Sequence, residues 1–209
     1  GLVDIVYLDT TYCHPKYVFP KQKEVIEAAI QVAERHLGED SKNTLLLVGA
    51  YSLGKERLYV EMSRRLGIKV QMDRPRWQTL SCLGWPSEVM GQLTTASGET
   101  NLRVVPISHI NFKKMGAYLQ RKALQGDYHR IIGFQPTGWA FDARRKSLLS
   151  VRKSGKFIIY GVPYSEHSSF EELQECVSYL NPSKIIPTVN CNSQKSVQDQ
   201  INLLLHNRT

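Results

Sequence analysis

The sequence predicts an α/β protein in which a largely parallel sheet is covered by helices. Short apolar runs alternate with segments whose apolar residues recur at helical spacing, as where Thr44-Leu-Leu-Leu-Val-Gly49 precedes a helical stretch reaching Leu66. The last third repeats the pattern as a β-α-β unit. At 209 residues the chain can bury a substantial core in one or two domains.

The first strand is expected over residues 3–9, followed by the Pro-bearing loop Cys13–Pro20. A helix from Lys21 to Leu37 follows, with Val25, Ile26, Ala29, Ile30 and Ala33 on one face and Gly38 as its stop. The buried-type strand 44–49 leads through Ala50–Glu56 into a helix ending near Leu66, and Ile68–Gln71 opens another strand. A short helix over Arg74–Leu83 and then an irregular stretch are expected, before a strand at Leu102–Ile107 and a helix over Asn111–Gln125. Arg130–Phe134 reads as a strand, and the basic residues Arg144, Arg145, Lys146, Arg152 and Lys153 as part of a surface turn that either tracks a DNA backbone or is simply solvated. Strand 156–161, a helix from Ser168 to Leu180, strand Lys184–Val189 and a helix from Ser193 to His206 complete the chain.

Apolar content of 42% and charged content of 22% are ordinary for a globular protein. No apolar run approaches the roughly 20 residues that cross a bilayer, so no membrane partner is expected. No basic region followed by an apolar one opens the chain, which begins directly in a strand and reads as a piece of a longer protein. The net charge of +8 fits a polyanionic partner such as nucleic acid, and equally a plain solubility charge. Cys13, Cys82, Cys176 and Cys191 form no Cys-x-x-Cys pair and read as reduced intracellular thiols.

The most informative stretch is Val162-Pro-Tyr-Ser-Glu-His-Ser-Ser-Phe170, which places His167 where a strand gives way to a helix. Asp9 closes the first strand in the same manner. Strand ends that open into helix N-termini are where α/β proteins keep ligand chemistry, and carboxylate with imidazole makes a natural metal-ligand pair. A capping aspartate and a hydrogen-bonded surface histidine would look the same. Ser52, Gly54 and Lys55 lie between a strand and a helix, where backbone N–H groups, a hydroxyl and a lysine suit a phosphate. The Gly-x-x-x-x-Gly-Lys-Ser/Thr pattern is not met, so no NTP is expected.

Five motifs in order carry a family likeness: Val6-Tyr-Leu-Asp-Thr-Thr-Tyr-Cys13, Gly49-Ala-Tyr-Ser-Leu-Gly-Lys-Glu56, Phe134-Gln-Pro-Thr-Gly-Trp139, Tyr160–Ser169 and Lys184-Ile-Ile-Pro-Thr-Val-Asn190. Over Val6 to about Asn190 the chain resembles the DNA cross-link repair nucleases of the metallo-β-lactamase/β-CASP class, relatives of Artemis. The resemblance implies part of an αββα metallo-β-lactamase sandwich, residues 1–14 and 155–209, with an inserted β-CASP cap of parallel-sheet α/β type, residues 15–154. It implies a zinc-dependent DNA nuclease of interstrand cross-link repair in the nucleus, a 5′-to-3′ exonuclease on 5′-phosphorylated DNA. Asp9 and His167 would be metal ligands. Glu56 would orient a ligand from behind, or be only an exposed carboxylate in the first turn of a helix.

The resemblance also implies that Ser165, Ser168 and Ser169 bind the terminal phosphate, although Ser168 would serve equally as the cap of the next helix. Thr137 and Gly138 would shape the cleft rim, Trp139 would pack or stack on a base, and Val189 stands where RNA-acting relatives tend to carry histidine. Two departures stand out: the family's His-x-His-x-Asp-His motif is absent, and Gln135 replaces a more usual arginine. Without that motif the chain resembles the C-terminal half of the nuclease, needs zinc ligands from outside itself, and is expected to be inactive alone. An RNA-processing β-CASP nuclease is the second enzymatic reading, against which Val189 and the Ser-Glu-His-Ser-Ser context argue; a DNA-binding scaffold without catalysis is the reading from another class.

Overall fold

A computed structural model describes residues 3–96, 98–119, 128–138 and 147–205. The expected continuation of a helix to Gln125, Trp139, the basic residues Arg144, Arg145 and Lys146, and His206 lie outside the described residues. The chain divides into a split unit, residues 1–19 with 165–209, and a continuous unit, residues 20–164. These junctions fall later than the 14/15 and 154/155 expected from sequence. The strand near 156–161, expected in the split part, pairs instead inside the sheet of the continuous unit.

The continuous unit is built on a seven-stranded sheet. Its strands are β2 (Thr44–Ala50), β3 (Val70–Gln71), β4 (Leu93–Thr94), β5 (Leu102–Pro106), β6 (Arg130–Pro136), β7 (Ser150–Ser154) and β8 (Phe157–Val162). Their order is β4-β3-β5-β2-β6-β8-β7, parallel throughout except where β7 meets β8. β2 is buried at every residue, which is why it reads as an unbroken apolar run rather than an alternating one. Its pleat sends Leu46, Val48 and Ala50 into one core and Leu45 and Leu47 into another. The first core receives Val25, Ile26, Ala29, Ile30 and Ala33 of α1 (Gln22–Asp40) and Leu58, Tyr59 and Met62 of α2 (Glu56–Leu66). The second is closed by Met115 of α5 (Phe112–Leu119). Each fully buried aliphatic side chain contributes about 1.5–3 kcal/mol by leaving water.

Three local expectations fail for physical reasons. α1 continues through Gly38 to Asp40, because that glycine keeps helical backbone angles; the helix ends where Asp40 accepts bonds from the Asn43 amide and side chain. The stretch after α3 (Arg74–Ser81) is not wholly irregular: it holds the one-turn α4 (Ser87–Met90) and β4. Residues 150–154, expected in a turn, form the edge strand β7, joined to β8 through Gly155-Lys156 with Gly155 at φ +54°. Charged Arg152 and Lys153 are what an open edge carries, so that strand resembles a loop in sequence.

The split unit pairs β1 (Ile5–Leu8) with β9 (Lys184–Pro187) in parallel, backed by α6 (Phe170–Leu180) and α7 (Gln194–Leu205). Leu8, Cys13, Leu173, Val177, Ile185 and Leu204 form its core, while Ile5 and Tyr7 on β1 remain exposed. Among the described residues no helix is long and apolar enough to cross a membrane.

A polar knot ties α1 to the sheet. Arg130 donates to Glu39 Oε2 and to the carbonyl of His36, each at 3.0 Å, and to Thr44 Oγ1 at 3.1 Å. His36 Nε2 lies 3.0 Å from the Tyr160 hydroxyl, while its Nδ1 stands 3.6 Å from Glu39, too far for a hydrogen bond. Burial, reinforced by the Arg130 charge, depresses the His36 pKa below its ordinary 6.5. The unfolded chain then takes up this proton first, so stability is complete above about pH 6.5 and declines as acid is added. The urea midpoint of the wild type should fall between pH 7.5 and 5.5 by more than that of His36→Gln; equal falls would remove His36 as the cause.

All four cysteines are free thiols. Burial pushes Cys13 up to about 11, whereas Cys82 and Cys191 are exposed. At pH 8 a thiol reagent read by mass spectrometry should label Cys82 and Cys191 in the native protein and Cys13 only after unfolding.

Candidate active site

The site grows from the carboxyl ends of β1 and β9. Their ladder reaches Leu8 opposite Pro187 and continues one step further, the Thr188 amide donating to the Leu8 carbonyl at 2.9 Å. Beyond that, Thr10 takes over with its side chain. Its hydroxyl donates to the Val189 carbonyl at 2.8 Å and accepts from the Val189 amide at 3.3 Å. The buried Thr10 thus fixes the backbone on the far side of Asp9.

Asp9 is held on both oxygens. Oδ1 accepts the Thr11 amide at 2.9 Å and the Thr11 hydroxyl at 2.5 Å, a turn in which an aspartate bonds the backbone two residues on. Oδ2 lies 2.9 Å from His167 Nδ1, across 158 positions of sequence. Partial burial pulls the Asp9 pKa upward, but the two Thr11 bonds and His167 outweigh it, and the carboxyl settles below its usual range. An ionised carboxylate only accepts, so Nδ1 is the donor across this contact. Among the described residues Nε2 has no hydrogen-bond partner.

The strand-to-helix turn places His167. Ser165 Oγ accepts the His167 amide at 3.0 Å and donates to the His167 carbonyl at 2.8 Å, closing a small ring around the backbone. The Tyr12 ring meets the imidazole edge-on at 5.9 Å. Ser169, rather than Ser168, caps α6: its hydroxyl accepts the Glu172 amide while Glu172 accepts the Ser169 amide. The reciprocal pair consumes the Ser169 hydroxyl, whereas Ser168 is exposed beside His167.

Of the residues singled out from sequence, Asp9, His167, Ser165 and Val189 all lie in the split unit. Sequence reasoning assigned no role to Thr10, Thr11 or Tyr12, although the Asp-x-Thr spacing of Asp9 and Thr11 is the signal that would have found the turn. Glu56, Ser52, Gly54, Lys55, Thr137 and Gly138 belong to the continuous unit. There Glu56 Oε1 accepts the Gly54 amide at 2.7 Å. Lys55, buried and at φ +73°, places its Nζ 5.1 Å over the Tyr164 ring. Of the groups expected to meet a phosphate, the Gly54 amide is thus engaged within the loop and the Lys55 ammonium lies on Tyr164, while Ser52 stays exposed. The half-buried Thr137 donates its amide to the Val162 carbonyl, and Gly138 is half-buried too.

Carboxylate and imidazole are suitable donors for zinc or a similar divalent ion. No group of three His, Cys, Asp or Glu side chains gathers among the described residues, so this pair fits a metal in kind and needs further ligands to complete a site. Truncating the true cap offers a direct check on the local geometry. Ser169→Ala should lower the stability to urea by about 1 kcal/mol, as loss of an N-cap does, with Ser168→Ala within error of wild type.

The chain is similar in sequence to proteins of known name. The family described as "DNA repair metallo-beta-lactamase" matches residues 87–193. A DNA cross-link repair protein SNM1 of Arabidopsis thaliana is 39% identical over 191 residues, 90% of this chain and 39% of that protein. The human DNA cross-link repair 1A protein is 40% identical over 196 residues, 93% of this chain and 18% of its own length. The 5′ exonuclease Apollo of Danio rerio is 32% identical over 190 residues, 90% and 28%. The chain thus spans well under half the length of each.

Proposed function

The chain belongs to the DNA repair metallo-beta-lactamase family, and from that membership we propose that it is part of a metal-dependent DNA nuclease of interstrand cross-link repair, acting 5′ to 3′ on 5′-phosphorylated strands. The observation that carries the reading is the 2.9 Å contact between Asp9 and His167 at the ends of an interlocked strand pair. The split unit would be the lactamase part and the continuous unit the β-CASP cap. The nuclear setting follows from the repair role. The relatives' names, which include cross-link repair proteins and a 5′ exonuclease, support the substrate class.

Asp9 and His167 would hold a zinc ion with ligands from outside this chain. When bound, such an ion supplies Lewis acidity toward a phosphoryl oxygen and activation of water. The chain's own residues do the positioning. Thr11 fixes the Asp9 carboxylate and favours its ionised form. The 2.9 Å contact of Asp9 Oδ2 with His167 Nδ1 brings the two donors to one place, and their joint coordination of an ion would replace that hydrogen bond. The exposed Ser168 hydroxyl would donate to the terminal phosphate, with Val189 at the neighbouring strand end favouring DNA over RNA. Two features support completion by further chain: among the described residues no third metal donor gathers with Asp9 and His167, and Ile5 and Tyr7 are 48% and 71% exposed on a parallel strand, a type ordinarily covered on both faces.

The test uses the complete protein with zinc on 5′-phosphorylated single-stranded DNA. Asp9→Ala and His167→Ala should each lower the cleavage rate by a factor of about 100 or more while melting like the wild type, as loss of a ligand or its orienting partner does. The 209-residue chain alone should cleave nothing. Undiminished cleavage by either variant would end its assignment to the mechanism.

A further inference from the structure

The carboxyl ends of β2 and β5 open a cleft of about 530 Å³ in the continuous unit, lined in part by Tyr51, Ser52, Asp73, Arg76, Thr79 and Ser108. Its position has a topological cause. β2 and β5 are adjacent and parallel. The helix that follows β2 packs into the first core, and the helix that follows β5 packs into the second, on the opposite face. Helices leaving adjacent strands toward opposite faces open a crevice beyond the strand ends, the place where open α/β sheets bind ligands. Gly49 tightens the region: a Cβ there would lie 3.1 Å from Ile107 Cα, so its absence lets the 3₁₀ turn Ile107–His109 sit directly on β2.

Two side chains give the crevice its chemistry. Arg76 is only 8% exposed. Its Nη1 donates to the carbonyls of Tyr51 and Ser52, while its buried Nε has no hydrogen-bond partner among the described residues. No carboxylate pairs with this guanidinium among the described residues, and a buried charge is costly unless an anion compensates it. Tyr51, next to it in the lining, is 59% exposed and leaves its ring open to the cleft. Lys114 Nζ stands 3.4 Å from the Ser108 hydroxyl and adds positive charge on the β5 side. The carboxylate in the lining, Asp73, accepts the Arg76 amide at 2.8 Å as the cap of α3.

We propose that this crevice holds one nucleotide unit, its phosphate against Arg76 and its base stacked on Tyr51. The choice of DNA as the source rests on the nuclease reading; the site itself does not depend on Asp9 or His167. An aromatic face stacks any base, so the subsite grips a strand without reading its sequence.

The complete protein, held in EDTA, is titrated with a 3′-labelled oligothymidine lacking a 5′-phosphate, and anisotropy is followed across salt concentrations. Tyr51→Ala should weaken binding about tenfold and Tyr51→Phe should retain it. Arg76→Gln should weaken binding and lower the salt slope by about 0.7, the value for one single-strand phosphate contact. The exposed neighbour Arg74→Gln serves as the charge control and should keep wild-type affinity and slope. Displacement of the oligonucleotide by dTMP in the wild type identifies a free mononucleotide as a competent occupant; losses in both variants without dTMP displacement identify a nucleotide within a strand. Wild-type affinity and slope in both Tyr51→Ala and Arg76→Gln overturn the site, as does an equal loss in Arg74→Gln. If the complete protein cleaves 5′-phosphorylated DNA while these variants bind normally, the site fails and the nuclease reading stands. If it cleaves nothing while the variants lose binding, the reverse holds.

Discussion

The pairing of β1 with β9 is the constraint from which the candidate active site follows. A two-stranded ladder is marginal by itself, and this one is held by Leu8 and Ile185 against Leu173, Val177 and Leu204. Thr10 then extends the interlock beyond the last regular pair, replacing a backbone partner with its hydroxyl and bonding both polar groups of Val189. Asp9 therefore sits between two fixed points. The intervening insertion, residues 20–164, imposes a smaller obstacle than its length suggests, since each doubling of a loop adds only about 0.6 kcal/mol of closure entropy. A long folded insertion is compatible with a tightly set site provided both of its ends are anchored. Phe170, bonded by its amide to the Tyr17 carbonyl at 3.4 Å, anchors one return point.

What could be read from sequence divides along a physical line. Fully buried elements announce themselves: β2 as an unbroken apolar run, and α1 as a stripe from Val25 to Ala33. Elements with one face in solvent do not. β7 carries Arg152 and Lys153 because it is an edge, and in composition an edge and a loop are alike. The stop at Gly38 failed because a glycine terminates a helix only where the chain must turn left-handed, and a competing turn at Asp40–Asn43 did that work two residues later.

The site was legible in the same partial way. Asp9 and His167 stood out because polar residues at strand ends are rare interruptions of apolar runs, yet neither their contact nor the residues that fix them could be read from spacing. Ser168 and Ser169 are chemically identical neighbours, and only the reach of Glu172 back to the Ser169 amide decides which one caps. In the Ser52–Glu56 loop the donors are the ones expected, but Glu56 turns inward to the Gly54 amide. A list of donors in sequence says nothing of which of them the fold has already used.

The split unit and the continuous unit solve a common problem in the same manner. At the carboxyl end of a parallel strand the ladder runs out, leaving carbonyls and amides that must be satisfied without another strand. In the split unit the solution is the hydroxyl of Thr10, and the side chain so released from structural duty is Asp9. In the continuous unit the solution is Arg76, whose Nη1 satisfies the carbonyls of Tyr51 and Ser52. The difference lies in what remains. Asp9 and His167 satisfy each other through Oδ2 and Nδ1. Arg76 gives one nitrogen to carbonyls, and no carboxylate pairs with its charge among the described residues. The same backbone deficit is thus met by a neutral hydroxyl in one unit and by a charged guanidinium in the other, so the two strand ends are left with opposite chemical surroundings.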